Sequence, residues 1–303
     1  MTEALYRGWG RAEIDRQLNL RARWPEHADY FARWARDSAA ARAELECRLD
    51  LAYGESPGQR LDIFPAATAN GGPAPLVAFI HGGYWQSLSK DDFSYLAPPF
   101  VAAGIAFASI EYDLAPTVSV PEIVDQTQRA LAWLARAGEA YGIDPARITV
   151  VGHSAGGHLA VMALAADWAA RTPDLPGGPI KGACSISGVY DLTPIRMSYQ
   201  QEVLRLSPAA VEAASPIRRM PGRAGPLICA VGSVETEEFQ LQQAEFVAAW
   251  RAAGLRAGTV DLPGCHHFSA VDALCAPDHA LFQAVRAMAA GEPRPRASAW
   301  GSS

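Results

Sequence analysis

Short apolar runs alternate with stretches of helical spacing along most of this chain. The runs are LDIF (residues 61–64), PLVAFI, AFASIEYDL, ITVVGHS, ACSISGV, LICAVGS and GTVDLPG. Between them the spacing predicts helices near 92–103, 121–141, 155–170, 237–253 and 269–289. Strands that are apolar throughout leave no face for water, so the expected sheet is mainly parallel and covered by helices on both sides, an α/β architecture.

Two stretches break the rhythm. PDLPGGP (173–179) reads as a turn-rich connection, and 192–221 is too long for a simple crossover, so it is expected to form a cap or part of a pocket. Before the first strand, residues 3–45 read as helical, rich in Ala, Arg and Glu, and broken near Trp24-Pro25. They carry Tyr6, Trp9, Trp24, Tyr30, Phe31 and Trp34, more aromatic surface than a solvated arm needs. The segment 1–48 is therefore expected to dock on or cap the body, with some of these aromatics lining or covering a binding site as the alternative, 49–290 to form the main domain, and the Pro/Gly/Ser-rich end, 291–303, to be a flexible tail. No internal repeat is visible.

Composition narrows the partners. The chain has 303 residues, half of them hydrophobic, with a formal net charge of -6 and no run of Lys or Arg, so nucleic acid is not an expected partner. The first residues mix charges and contain no apolar core of a signal peptide, and no apolar run is long enough to span a bilayer. The five cysteines are scattered without a C-x-x-C pair or a metal-ligand spacing, which suits a reduced, cytoplasmic setting with neither disulfides nor structural zinc. The partner expected from these features is a small molecule; association into a homo-oligomer stays open.

The chemistry concentrates at strand ends. Gly152-His153-Ser154-Ala155-Gly156 lies between a strand of β-branched residues and an alanine-rich helix. That is G-x-S-x-G in the context it requires, where glycines relieve a sharp turn and expose the serine hydroxyl. Such a hydroxyl needs a base. Of the seven histidines, His266 and His267, in the loop PGCHHF after the final strand, can swing over the sheet towards Ser154. The base in turn needs a carboxylate to orient it, and Glu235, in the loop after LICAVGS, is the candidate, with Asp191 one strand earlier as its rival. Negative charge developing on a substrate oxygen calls for fixed N–H donors, which Gly82, Gly83 and Ala155 can supply. Tyr84 and Trp85 follow the two glycines and are expected to wall the site, Trp85 with packing beneath the loop as its alternative. No phosphate-binding G-x-x-x-x-G-K-[ST] loop occurs, and GHSAGG does not match G-x-G-x-x-G.

These residues resemble the kynurenine formamidase (arylformamidase) group of α/β-hydrolases, together with related bacterial esterases. HGGYW is similar to that group's H-G-G-x-W signature and GHSAGGHLA to its nucleophile elbow, while VGSVETEEF and HHF resemble its acid and base loops. The likeness extends roughly from Tyr6 to Ala289 and includes the YDL stretch at Tyr190, a further candidate for the substrate pocket. It implies the α/β-hydrolase fold, Ser154, Glu235 and His267 as the triad, no cofactor or metal, and cleavage of a formyl or acetyl group from an aryl amide or ester, as in N-formylkynurenine to kynurenine and formate. Two features differ: the acid is Glu rather than Asp, and Cys265-His266 precede the base. The alternatives are a small-acyl carboxylesterase and, from another class, a catalytically silent hydrolase fold that binds ligands.

Overall fold

The structure is a computed structural model and describes residues 4–175 and 178–292. Its centre is an eight-stranded sheet, among the described residues, in the order β1-β2-β4-β3-β5-β6-β7-β8. The strands are β1 (Arg48–Ala52), β2 (Arg60–Phe64), β3 (Ala74–Ile80), β4 (Ala106–Ile110), β5 (Ile143–His153), β6 (Ile180–Ile186), β7 (Leu227–Gly232) and β8 (Ala257–Leu262). β1–β2 and β2–β4 run antiparallel, and every other pairing is parallel. All seven residues of β3 are buried, as a central strand covered on both faces requires.

Three N-terminal helices, α1 (Arg11–Leu18), α2 (Leu20–Arg23) and α3 (His27–Glu44), precede the first strand. They are followed by α4 (Ala97–Ala102), α5 (Val120–Ala137), α6 (Ala155–Leu164), α7 (Trp168–Arg171), α8 (Thr193–Arg196), α9 (Gln201–Leu204), α10 (Pro208–Ala214), α11 (Glu237–Ala252) and α12 (Ala280–Ala290). Helix α6 is buried on all sides, which accounts for its lack of a polar face. The short helices α8 to α10 fill the excursion between β6 and β7, and the expected tail lies almost entirely outside the described residues.

Several expected helices are broken where the chain carries a reason. The stretch 92–103 becomes two 3-10 turns, Lys90–Asp92 and Ser94–Leu96, before α4. Likewise 269–289 splits into a 3-10 segment, Ala270–Cys275, and α12, with Pro277 between them. Strand β1 was not expected at all. Its sequence, RLDLA, is largely exposed because it pairs on one side only, so no continuous apolar run marks it.

Candidate active site

Ser154 sits between β5 and α6 with φ +57° and ψ -120°, a strained backbone for a residue with a side chain. Glycines make that turn possible. A Cβ at Gly152 would lie 2.0 Å from the Gly156 carbonyl oxygen, and one at Gly156 would lie 1.9 Å from that of Ile80. The Ser154 N–H is occupied, donating to Ile186 O at 2.8 Å.

The loop after β3 packs directly on this turn: a Cβ at Gly82 would lie 2.8 Å from His153 O and 3.0 Å from Ser154 Cβ. Among the described residues, the N–H groups of Gly82, Gly83 and Ala155 find no acceptor. Ala155 is the first residue of α6, where no intrahelical partner exists. Three donors thus stand without acceptors around the serine.

His81 holds the loop in this shape. Its Nδ1 donates to Gly82 O at 2.8 Å, its Nε2 lies 2.8 Å from Glu111 Oε1, and its ring stacks on Tyr112 at 4.3 Å. Pinning the Gly82 carbonyl fixes the peptide plane that also carries the Gly83 N–H. Reading the sequence missed this role; the signal available was the histidine that opens HGGYW.

His267 Nδ1 lies 2.8 Å from Glu235 Oε2. The other oxygen, Oε1, accepts from Gly232 N at 2.8 Å and from the Ser187 hydroxyl. A buried carboxylate with three hydrogen-bond partners is fixed in direction, and the imidazole is fixed with it. Asp191 stands elsewhere: it accepts from Thr193 and meets Arg218, so the rival acid is not beside His267. His266 likewise turns away from the serine, stacking on Trp24 at 5.4 Å and meeting the edge of Tyr30 at 5.2 Å. Burial lowers its pKa, so it serves the docking of the N-terminal segment as a neutral ring.

His153 supplies a second tie. Its Nε2 donates to His267 O at 2.8 Å, joining the base loop to the serine turn, and burial holds its pKa well below the usual histidine value. Ser154 and His267 line one cavity without a closed hydrogen bond between them, an alignment that such sites commonly complete only around substrate.

That cavity has a volume of about 340 Å³. Beside His153 and Ser154, its walls come from four separated parts of the chain: Gly83 and Tyr84 from the loop after β3, Leu20, Arg21, Phe31 and Trp34 from the N-terminal segment, Tyr199 and Gln200 from the β6–β7 excursion, and His267 and Phe268 from the loop after β8. Tyr84 stands at the wall, its hydroxyl donating to Leu18 O at 2.8 Å. Two expected pocket residues do not. Trp85 is fully buried beneath the loop, with its Nε1 donating to His158 Nδ1 at 3.3 Å. Tyr190 is fully buried as well, stacked on Phe246 at 4.3 Å and bonded to Ser185. Among the described residues no cluster of His, Cys, Asp or Glu could hold a metal ion, and no helix is long and apolar enough to cross a membrane.

Comparison with known proteins agrees with this arrangement. The family model BD-FAE matches residues 61–203. A kynurenine formamidase of Danio rerio is 32% identical over 246 residues, covering 80% of this chain and 81% of the relative. Esterase LipC of Mycobacterium tuberculosis is 30% identical over 73% of this chain and 59% of its own length. Among solved structures, a protein of Silicibacter sp. TM1040 provisionally assigned as a thioesterase superposes with a TM-score of 0.78 at 32% identity, covering 90% of this chain and 98% of the other. Esterase B of Lactobacillus rhamnosis, at 19% identity and a TM-score of 0.70 over 92% of this chain and 97% of the other, shares the fold. The strand order, the serine turn and the relatives converge, and this chain belongs to the kynurenine formamidase-like group of α/β-hydrolases.

Proposed function

We propose that this hydrolase removes a formyl or acetyl group from an aryl amide through an acyl-enzyme on Ser154, with N-formylkynurenine as the model substrate. The observation that carries the reading is the set of three acceptor-free N–H groups, Gly82, Gly83 and Ala155, around a serine that shares its cavity with His267, which Glu235 holds from behind.

In this reading His267 takes the Ser154 proton as the hydroxyl oxygen attacks the carbonyl carbon. Glu235 stabilises the resulting imidazolium. The new oxyanion lies among the three N–H groups, each worth about 3 kcal/mol of transition-state stabilisation in comparable sites. His267 then gives the proton to the departing aniline nitrogen, and water, activated by the same ring, releases the acid. The cavity volume sits near the lower end for ligand pockets, which favours a short acyl group over a long one.

The test is kcat/KM for N-formylkynurenine against p-nitrophenyl acetate, with Ser154→Ala as the blank. Preference for the formamide, whose bond is harder to break, supports the amide reading. Turnover of the ester alone makes the protein a small-acyl carboxylesterase, a reading that similarity to esterase LipC favours. Formyl, acetyl, butyryl and octanoyl esters of one phenol then rank the acyl side, and an optimum at octanoyl overturns the short-acyl expectation.

A further inference from the structure

The cavity above Ser154 carries one formal charge among its lining Asp, Glu, Lys and Arg residues, and it is the positive charge of Arg21. Of the nearby arginines in the N-terminal segment, Arg7 is matched with Glu238, Arg11 with Asp15 and Arg16 with Glu13, whereas Arg23, outside the cavity lining and 5.8 Å from the centre of the Trp24 ring, has no carboxylate partner among the described residues. Among the described residues no carboxylate pairs with Arg21. Its guanidinium is nevertheless held in place. Nη2 donates to Ser87 Oγ at 3.0 Å, and the guanidinium carbon lies 5.4 Å from the centre of the Phe31 ring. Ser87 Oγ in turn donates to Gly83 O at 3.1 Å, so two hydrogen bonds connect the cation to the loop that carries two of the acceptor-free N–H groups.

The backbone beneath is fixed too. Leu20 is buried, Asn19 Oδ1 accepts from Ala22 N at 3.2 Å, and Leu18 O accepts from Tyr84. A guanidinium has five N–H donors in a planar fork, and one of them is used here. Among the described residues the remainder lack a protein acceptor, at the edge of a cavity whose other walls are apolar or neutral.

We propose that Arg21 binds a carboxylate carried by the leaving group of the substrate, so that the protein selects aryl amides or esters bearing an acid arm over neutral ones. The proposal rests on the acyl-transfer reading of Ser154. Formyl and acetyl groups have no atom on which to carry the charge, which places it on the leaving group. One cation matches one carboxylate; a phosphate monoester dianion would keep uncompensated charge. The planar fork and the carboxylate also share a geometry that lysine lacks.

The experiment compares 3-(4-acetoxyphenyl)propanoate with its carboxamide, in wild-type protein, Arg21→Gln and Arg21→Glu. The readout is the ratio of the two kcat/KM values within each protein, so a general loss of fold or chemistry cancels. The wild type should favour the acid by about tenfold, chiefly through KM, as loss of a charge-assisted hydrogen bond implies. The ratio should approach one in Arg21→Gln and invert in Arg21→Glu. In the wild type it should also shrink as ionic strength rises from about 0.01 M to about 1 M, because the guanidinium is exposed. A wild-type ratio near one, or a preference that survives in Arg21→Gln or at high salt, overturns the assignment.

Both compounds are esters, so the ratio is readable whether or not formamides are cleaved. Calorimetric Kd values for the same pair on Ser154→Ala protein test Arg21 without turnover. Absence of turnover in wild type, with the acid still bound more tightly than the amide, overturns the acyl-transfer reading and leaves the Arg21 assignment standing.

Discussion

Replacing Glu235 by Gln keeps the side chain's shape and removes its charge. The amide must then place either an oxygen or an NH2 group against His267 Nδ1, while Gly232 N and Ser187 Oγ still demand an acceptor on the other side. We expect kcat to fall by about 10³ to 10⁴ with the circular dichroism spectrum unchanged, the range found when a triad loses its orienting charge. Asp191→Asn should stay within about twofold, since its contacts are confined to Thr193 and Arg218 and surface pairs contribute little. Steady-state kinetics on one ester substrate check both. The grouping of Ser154, His267 and Glu235 was legible because each lies in a short motif at a strand end. Ser187 was not, because its contact with Glu235 depends on β6 lying beside β7, and only the strand order reveals that neighbourhood. Trp85 and Tyr190 mislead for a related reason: sequence shows which residues neighbour the site along the chain, while partners distant in sequence, His158 for Trp85 and Phe246 for Tyr190, decide which of them turn away from it.

Helix α6 and the loop above it depend on a neutral histidine. His158 Nε2 donates to Ala214 O at 2.6 Å while Nδ1 accepts from Trp85, so the ring joins α6, the excursion helix α10 and the loop after β3. Burial lowers its pKa to about 4, well under its unfolded value. The unfolded chain therefore binds this proton more readily, and stability must rise with pH between roughly 4 and 6.5. Lowering the pH from 7.5 to 4.5 in steps should lower the urea midpoint, with about 3 kcal/mol attributable to His158 across the whole interval between its folded and unfolded pKa. A His158→Gln variant should show a shallower slope; an equal slope would falsify the assignment. At this scale the parallel strands were the most readable elements because burial on both faces leaves an unbroken apolar run. Strand β1 and the 3-10 turns were the least readable, since an exposed edge and prolines leave no period to detect.

At the scale of the whole molecule, the N-terminal segment is joined to the body by buried charge. Arg7 meets Glu238 at 2.9 Å and also Glu245, while Tyr6 donates to Glu238 at 3.2 Å. Burial raises the Glu238 pKa, so the folded state holds that proton more readily than the unfolded chain, and the stability linked to protonation is lost as pH rises through the folded value. Arg7→Ala removes the compensating cation. We expect a loss of about 1 to 3 kcal/mol that is larger at pH 8 than at pH 5, measured by chemical denaturation at the two values. The docking of this segment was legible in its excess of aromatics, and the alternative that some of them line a site describes Phe31 and Trp34; the part of Leu20 and Arg21 was not legible, because they meet the serine only through folding. His266, near the end of the chain, stacks on Trp24, near its start. The pocket is therefore sealed by two segments that leave the ribosome more than two hundred residues apart, and a nascent chain cannot possess it until the last of them has emerged. Recovery of catalysis after denaturation should accordingly lag behind recovery of helical signal, making enzymatic turnover a reporter of completed folding rather than of secondary structure.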